Sequence, residues 1–267
     1  FMQTAAHQLK SPLAAIQMMI ELIRSRIVPP EAVEGVCKKV INRCQEGIAQ
    51  VTELLTLARV QEADPLHHRQ SQADLRAVMS GLCERFKPLA EGKSIELACN
   101  MPEEEGPLHV SVDPRDLGDC IGNLIENAIK YTPERGKVTV TVVPERVNDE
   151  LVAVLVNVTD TGMSIDPQLA KAPDEEPGRE PVFDAFRRGA NVIAAGIPGT
   201  GLGLSIVREV VEQAGGRIIV SSCPGQGSCF SVTFPSPAGL ALYPQVRNTR
   251  VSAIVLENTD DSTPGEA

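Results

Sequence analysis

The sequence predicts two unlike units in one chain: a helical hairpin that pairs with a second copy as a four-helix bundle, then a mixed α/β domain. Three patterns point there. Met2, Ala6, Leu9, Leu13, Ile16, Ile20, Ile23 and Ile27 recur in steps of four and three, a heptad seam. After Val28-Pro29-Pro30, a broad apolar face formed by Val33, Cys37, Val40, Ile41, Cys44, Ile48, Val51, Leu55 and Ala58 repeats at helical spacing. Much later, Val138-Thr139-Val140-Thr141-Val142 alternates strictly, as a strand does when one sheet face is covered and the other is wet.

Taken in order, the first helix carries Pro12, which is expected to kink it, and is stopped by Pro29-Pro30. The second runs over residues 31–60. The short turn between them makes the helices antiparallel neighbours. Two helices enclose no core, so a homodimer through residues 1–60 is expected. Asp64-Pro65 and the polar stretch around His67 and His68 read as a linker, which divides a hairpin domain (1–65) from a second domain (66–236). There a helix is expected over 74–91, capped by Asp74, with further helices over 115–130 and 202–215. Strands are expected over 95–99, 108–112, 137–143, 151–158, 217–222 and 228–234. Residues 167–198 dissolve into Pro, Gly, Ala and charge, and a loop that long inside a compact domain is functional or disordered. The tail, 237–267, has weak strand propensity over 251–256 and no assigned role.

Composition narrows the chemistry. With 25 Lys and Arg against 35 Asp and Glu, the net charge is −10, which argues against a nucleic-acid partner. The chain has no Trp, two Tyr and six Phe, so no base-stacking platform is evident. No apolar run approaches the ~18–20 residues that span a bilayer, so no membrane contact is expected of this segment. The seven cysteines form no C-x-x-C pair, and the expectation is reduced, mostly buried thiols rather than a disulfide framework. The chain opens at Phe1 directly in helical pattern and is read as a segment of a longer protein.

Four motifs carry the chemical signal. In His7-Gln8-Leu9-Lys10-Ser11-Pro12-Leu13 the histidine falls beside the apolar seam, on the outer flank of the bundle. Asn123, Asn127 and Lys130 stand at i, i+4 and i+7, one helix face. Two amide oxygens and an ammonium there suit a metal-bound polyphosphate. Asp160-Thr161-Gly162 follows an apolar strand, where a carboxylate can take a hydrogen bond from a purine amino group. Gly199-Thr200-Gly201-Leu202-Gly203 opens a helix, whose free N–H groups suit phosphate; it has neither the P-loop lysine nor Rossmann spacing. Each motif alone also fits an ordinary surface helix or turn.

In this order, with Phe183-Asp184-Ala185-Phe186 between the third and fourth, the motifs resemble those of the sensor histidine kinases of two-component signalling: the H, N, G1, F and G2 boxes. The resemblance covers residues 1–235. It implies a dimerisation and phosphotransfer hairpin followed by an ATP-binding α/β sandwich of the Bergerat type, a mixed sheet with helices on one face, shared with gyrase, Hsp90 and MutL. It further implies that His7 is the phosphoacceptor, with Gln8 and Ser11 beside it. Asn127 would bind Mg²⁺ with Asn123 adjacent, Lys130 would meet phosphate, and Tyr131 would help close the pocket. Asp160 and Gly162 would hold adenine. Gly199, Thr200, Gly201, Leu202 and Gly203 would shape the phosphate end, with Arg188 reaching in from a lid over residues 166–198.

The family pattern is departed from in three places. Gln8 stands where an acid is usual, Ser11 where Thr or Asn is usual, and Ser164 where a second glycine is usual. The implied function is ATP-dependent autophosphorylation and phosphate transfer to an aspartate of a response-regulator protein, in the cytoplasm or an organelle stroma. Membrane association of the full-length protein is left open. Gln8 and Ser164 motivate the alternative of a nucleotide-binding scaffold or phosphatase-biased relative with weak autokinase activity. A conformational ATPase of the gyrase type fits less well, because Asn123 stands where that group has a glutamate.

Overall fold

A computed structural model describes residues 2–63, 71–103, 106–171 and 180–241, except for the side chains of Met2, Gln3, Thr4, Ala6, His7, Gln8 and Ala241. Helix α1 spans Met2–Arg24 and continues through Pro12. It ends before Ile27, the expected last position of the seam, because the chain closes in a Schellman motif. Arg26 takes a left-handed φ of 54°, its N–H reaches Ile23 O, and the N–H of Ile27 reaches back to Leu22 O at 3.1 Å. A 3₁₀ turn over Pro30–Ala32 leads into α2, Val33–Glu62, which packs against α1 as a hairpin. Leu13 and Ile20 of α1 and Ile27 just beyond it are 63%, 51% and 67% exposed, and along α2, Ile41, Ile48 and Leu55 are 56%, 66% and 66% exposed. Each set repeats every seven residues, so one chain leaves an apolar seam uncovered. Among the described residues no helix is long and apolar enough to cross a membrane.

The second domain is a mixed sheet with three helices on one face. Strand β1 (Ala73–Asp74) and helix α3 (Leu75–Gly92) are followed by β2 (Glu96–Asn100), β3 (His109–Val110) and α4 (Pro114–Tyr131). A long hairpin follows, β4 (Lys137–Val147) and β5 (Glu150–Asp160), then short α5 (Pro167–Ala170), a 3₁₀ turn at Pro181–Phe183 and α6 (Ala190–Ala194). Helix α7 (Gly203–Gln213) and strands β6 (Arg217–Cys223) and β7 (Gly227–Pro235) complete it. The main sheet has the order β2-β4-β5-β7-β6, with β2 parallel to β4 and the other pairs antiparallel. Val138, Val140 and Val142 are buried while Thr139 and Thr141 are half-exposed, as the alternation required.

Several elements differ from expectation for local reasons. The hairpin strands run longer than predicted because Asn148 and Asp149, both at positive φ (51° and 66°), close a tight turn that keeps them paired. Strand β3 is shorter than expected and pairs with β1 instead of joining the main sheet. Asp74 explains this: its carboxylate caps α3 by accepting from Arg76 N at 3.1 Å and also accepts from Leu108 N at 3.0 Å. Within the long loop the described residues form short helical turns. Residues 172–179 of that loop, the linker at 64–70 and the tail strand at 251–256 lie outside the described residues.

The cysteine expectation is corrected. Cys83 on α3 and Cys99 on β2 form a disulfide, with Cα atoms 6.6 Å apart, because that helix and strand are packed neighbours. Cys37, Cys44 and Cys223 are exposed, and only Cys120 of the free thiols is buried. Burial pushes its thiol well above the ordinary range.

The end of α2 docks on the second domain. Leu57 and Val60 are 1% and 0% exposed and share one core with α4 and α7. Gln213 of α7 donates to Val60 O at 2.6 Å. Arg59 reaches Asp116 at 2.5 Å and Asp119 at 3.1 Å on α4. The other side of α2, the apolar face legible in the sequence, stays open.

Candidate nucleotide site

Helix α4 builds one wall of a cleft. Pro114 starts the helix, and Asp113 caps it by accepting from Arg115 N at 2.8 Å. Leu117, Ile121, Leu124, Ile125 and Ala128 bury its apolar stripe, which turns Asn123, Asn127 and Lys130 toward the cleft. Asn123 is oriented by donating to Asp119 O at 2.9 Å. Lys130 lies over the Tyr131 ring at 5.3 Å. Burial, with the Arg188 charge, lowers the lysine pKa against the opposing pull of Glu126 and Glu53. The helix end is held by Lys93, whose ammonium donates to the carbonyls of Ile129, Lys130 and Thr132 at 2.8, 3.0 and 2.9 Å.

Asp160 stands at the end of β5, 4% exposed. Its carboxylate accepts from Gly162 N at 2.8 Å and from the backbone of Ser228. Burial outweighs both bonds and pushes its pKa up to about 6. Gly162 is required by space: a Cβ there would lie 2.5 Å from Tyr131 O and 2.8 Å from Asp160 Oδ1. Met163 N bonds Tyr131 O at 3.1 Å, tying this turn to the end of α4.

The glycine loop lies directly on the α4 side chains. A Cβ at Gly199 would meet Lys130 Nζ at 2.6 Å, and one at Gly203 would meet Asn123 Oδ1 at 2.9 Å. Gly201 takes a φ of +77° against the backbone of Phe186, whose N–H bonds Gly201 O at 2.8 Å. Leu202 is fully buried beneath the loop. Of the candidates on this domain, Leu202 and Gly162 support the cleft from behind, and the others line it.

Described residues of the long loop, among them Asp166, Leu169, Val182 and Arg187, line the cleft. Arg188 enters the cleft, bonded to Ile197 O, and its Nε is buried without a partner. That donor, the ammonium of Lys130 and the close backbone of the glycine loop fit a polyphosphate. Ser164 uses its hydroxyl to join this loop to the β6–β7 turn, donating to Cys223 O at 2.5 Å and accepting from Gly225 N at 3.0 Å. Arg208 of α7 holds the base of the loop, stacked on Phe183 at 4.8 Å and donating to Glu180 O at 3.0 Å.

Outside this cleft, a groove runs between the hairpin and the second domain. Ser11 and Pro12 of α1 line it together with Lys130, Gly199 and Thr200. His7 is one helical turn before Ser11 on α1; its side chain and that of Gln8 lie outside the described residues. Sequence reasoning missed Glu53, Lys93 and Arg208. Glu53 shares a face with Leu57 and Val60 at i+4 and i+7, the one local signal that pointed to it.

Residues 112–238 match the family of histidine kinase-, DNA gyrase B- and HSP90-like ATPases, and residues 1–63 match the His Kinase A (phospho-acceptor) domain. The chain belongs to the histidine kinases. Among curated relatives, the sensor-like histidine kinase SenX3 of Mycobacterium tuberculosis is 30% identical over 236 residues, 88% of this chain and 53% of SenX3. The virulence sensor protein BvgS of Bordetella bronchiseptica is 32% identical over 233 residues, 87% of this chain and 18% of BvgS. This kinase chain thus spans about half of SenX3 or less of such relatives. The fold is shared with the Acinetobacter baumannii histidine kinase AdeS, with a TM-score of 0.62 at 21% identity over 86% of this chain and 97% of that one. It is also shared with the histidine kinase ThkA, solved in complex with the response regulator protein TrrA, with a TM-score of 0.61 at 21% identity over 89% of this chain and 61% of that one.

Proposed function

We propose that this chain is the catalytic portion of an ATP-dependent protein-histidine kinase: it phosphorylates itself on His7 and passes the phosphoryl group to an aspartate of a response-regulator protein. The observation that carries this reading is the groove that joins α1 at Ser11 and Pro12, one turn from His7, to the phosphate end of the cleft at Lys130, Gly199 and Thr200. Hairpin and nucleotide site face each other across it.

In this reading Asp160 accepts a hydrogen bond from the adenine amino group, and Tyr131 and Met163 flank the ring. Asn127, with Asn123 beside it, holds Mg²⁺ through its amide oxygen. A bound Mg²⁺ neutralises charge on the phosphate oxygens. Lys130 and Arg188 orient the terminal phosphates. A ring nitrogen of His7 forms a bond to the γ-phosphorus as the bond to the bridging oxygen breaks, ADP leaves, and the imidazole loses its proton. Positioning and charge stabilisation supply most of the rate.

The uncovered apolar seam supports a homodimer through residues 1–60, and the ThkA–TrrA complex supports a response regulator as partner. The domain boundary falls near residue 65, with the end of α2 serving both units. The requirement for ATP supports action in the cytoplasm or an organelle stroma. Gln8 favours a second reading, a scaffold with weak autokinase activity.

Incubation with γ-labelled ATP followed by acid and base treatment tests the proposal. Acid-labile, base-stable label that disappears in His7→Ala is expected. Label that survives loss of His7 defeats the reading, and no label on the wild-type chain favours the scaffold.

A further inference from the structure

Glu53 lies on the face of α2 that docks on the second domain, one turn before Leu57 and two before Val60. Those two residues anchor the end of the helix in the core. Glu53 instead reaches the cleft, where Thr200 of the glycine loop donates its hydroxyl to the carboxylate. The same hydroxyl accepts from Leu202 N at 3.2 Å, so this contact fixes the loop conformation at the start of α7. Glu53 shares the phosphate end of the cleft with Lys130, Asn127 and Gly199. Its electrostatic surroundings are the attractive Lys130 charge and the repulsive Glu126 charge, and burial raises its own pKa.

Resting on the reading that this cleft takes ATP, we propose that Glu53 is a phosphate-displaced latch: its carboxylate and the terminal phosphates compete for Thr200 and Lys130, so phosphate binding and docking of the middle of α2 oppose each other. The physical cause is the sharing of one ammonium and one hydroxyl by two anions in a partly desolvated cleft. Like charges there repel strongly, and only one anion can hold the glycine loop. The anchor at Leu57, Arg59 and Val60 lies beyond the reach of this competition. Release at Glu53 therefore frees the central part of α2 while its end stays docked. The effect is reciprocal: whatever pulls the hairpin away from Thr200 raises phosphate affinity by the same factor by which phosphate favours the undocked helix.

The test is titration of the full chain with ATP, ADP and adenosine, comparing wild type with Glu53→Gln and Glu53→Ala. The latch predicts ATP affinity about 5- to 20-fold higher in both variants, a smaller gain for ADP and no change for adenosine. Unchanged or weaker ATP binding in both variants overturns it, as does an equal gain for adenosine. Hydrogen exchange gives a reading that needs no variant. Amides of residues 50–56 in the wild type are expected to exchange faster when ATP is added and to be unaffected by adenosine; unaltered exchange at saturating ATP overturns the latch. If the wild type binds neither ATP nor adenosine, the nucleotide reading itself fails, an outcome distinct from ATP binding without the Glu53 effect.

Discussion

Lys93 Nζ lies 3.0 Å from the carbonyl oxygen of Lys130, so one lysine ends the helix from which the other enters the cleft. Its two further bonds, to Ile129 O and Thr132 O, complete a cap made by a single ammonium at the negative end of α4. Lys93→Met keeps the aliphatic stem and removes all three donors. A cost of about 1–2 kcal/mol in stability is expected, the range for charge-assisted bonds at a partly exposed site. Urea unfolding measures it. ATP affinity should weaken as well, because Lys130 and Tyr131 lie on the turn that Lys93 holds.

Asp160 couples nucleotide binding to pH. Its pKa is raised to about 6, above the ordinary carboxylate value, so the folded chain takes up a proton more readily than the unfolded one between roughly pH 4 and 6. From this group, stability therefore falls as pH rises through that window and is lowest above it. Binding should run the opposite way, because only the carboxylate accepts fully from an adenine amino group. ATP affinity is expected to drop about tenfold between pH 7 and pH 5. Asp160→Asn should weaken ATP by about 30- to 1000-fold, roughly 2–4 kcal/mol, while the fold survives and this group's pH dependence disappears. Titration with a fluorescent ATP analogue across pH checks all of this. Unchanged affinity in Asp160→Asn would place adenine elsewhere.

What could be read in advance was what repeats locally. The valines of β4, the apolar stripe of α4 and the seam of α1 each carry their own period, and the asparagines and Lys130 share a face by spacing alone. Contacts between distant segments left no such trace. Arg59 and Asp116 are both ordinary helix residues in sequence, and their pairing exists only because α2 docks on α4. Cys83 and Cys99 belong to no spacing motif and meet because α3 packs on β2. Thr200 was legible as part of a glycine loop, but its partner Glu53 is 147 residues away.

The uncovered seam of the hairpin predicts its own partner. Leu13, Ile20, Ile41, Ile48 and Leu55 are all more than half exposed in one chain, an apolar stripe on neighbouring helices that a second hairpin covers. Light scattering should report two chains at micromolar concentration. Ile48→Glu with Leu55→Glu should give monomers with ATP affinity retained, since neither side chain belongs to the second domain's core. A stable wild-type monomer defeats the bundle.

Gln8 offers the sharpest test of the chemistry, because it changes one atom type beside the proposed nucleophile. His7 must present an unprotonated nitrogen to phosphorus and lose its other proton as positive charge develops on the ring. The amide oxygen of Gln8 can accept a hydrogen bond, which fixes a tautomer, but it neither takes the proton nor balances the charge. A carboxylate does both. Positioned general bases contribute about 10²–10⁴-fold, and an introduced one with unrefined geometry should supply less, so Gln8→Glu is expected to raise the autophosphorylation rate about 10-fold. ATP affinity should stay constant, since residue 8 is on α1, and no described residue of α1 lines the nucleotide cleft. His7→Ala in the same assay should abolish labelling with ATP binding intact. A wild type that already labels quickly, with no gain in Gln8→Glu, would mean that proton removal does not limit the rate or that another group serves as base. A gain in Gln8→Glu that vanishes in the His7→Ala background would tie the effect to the imidazole itself.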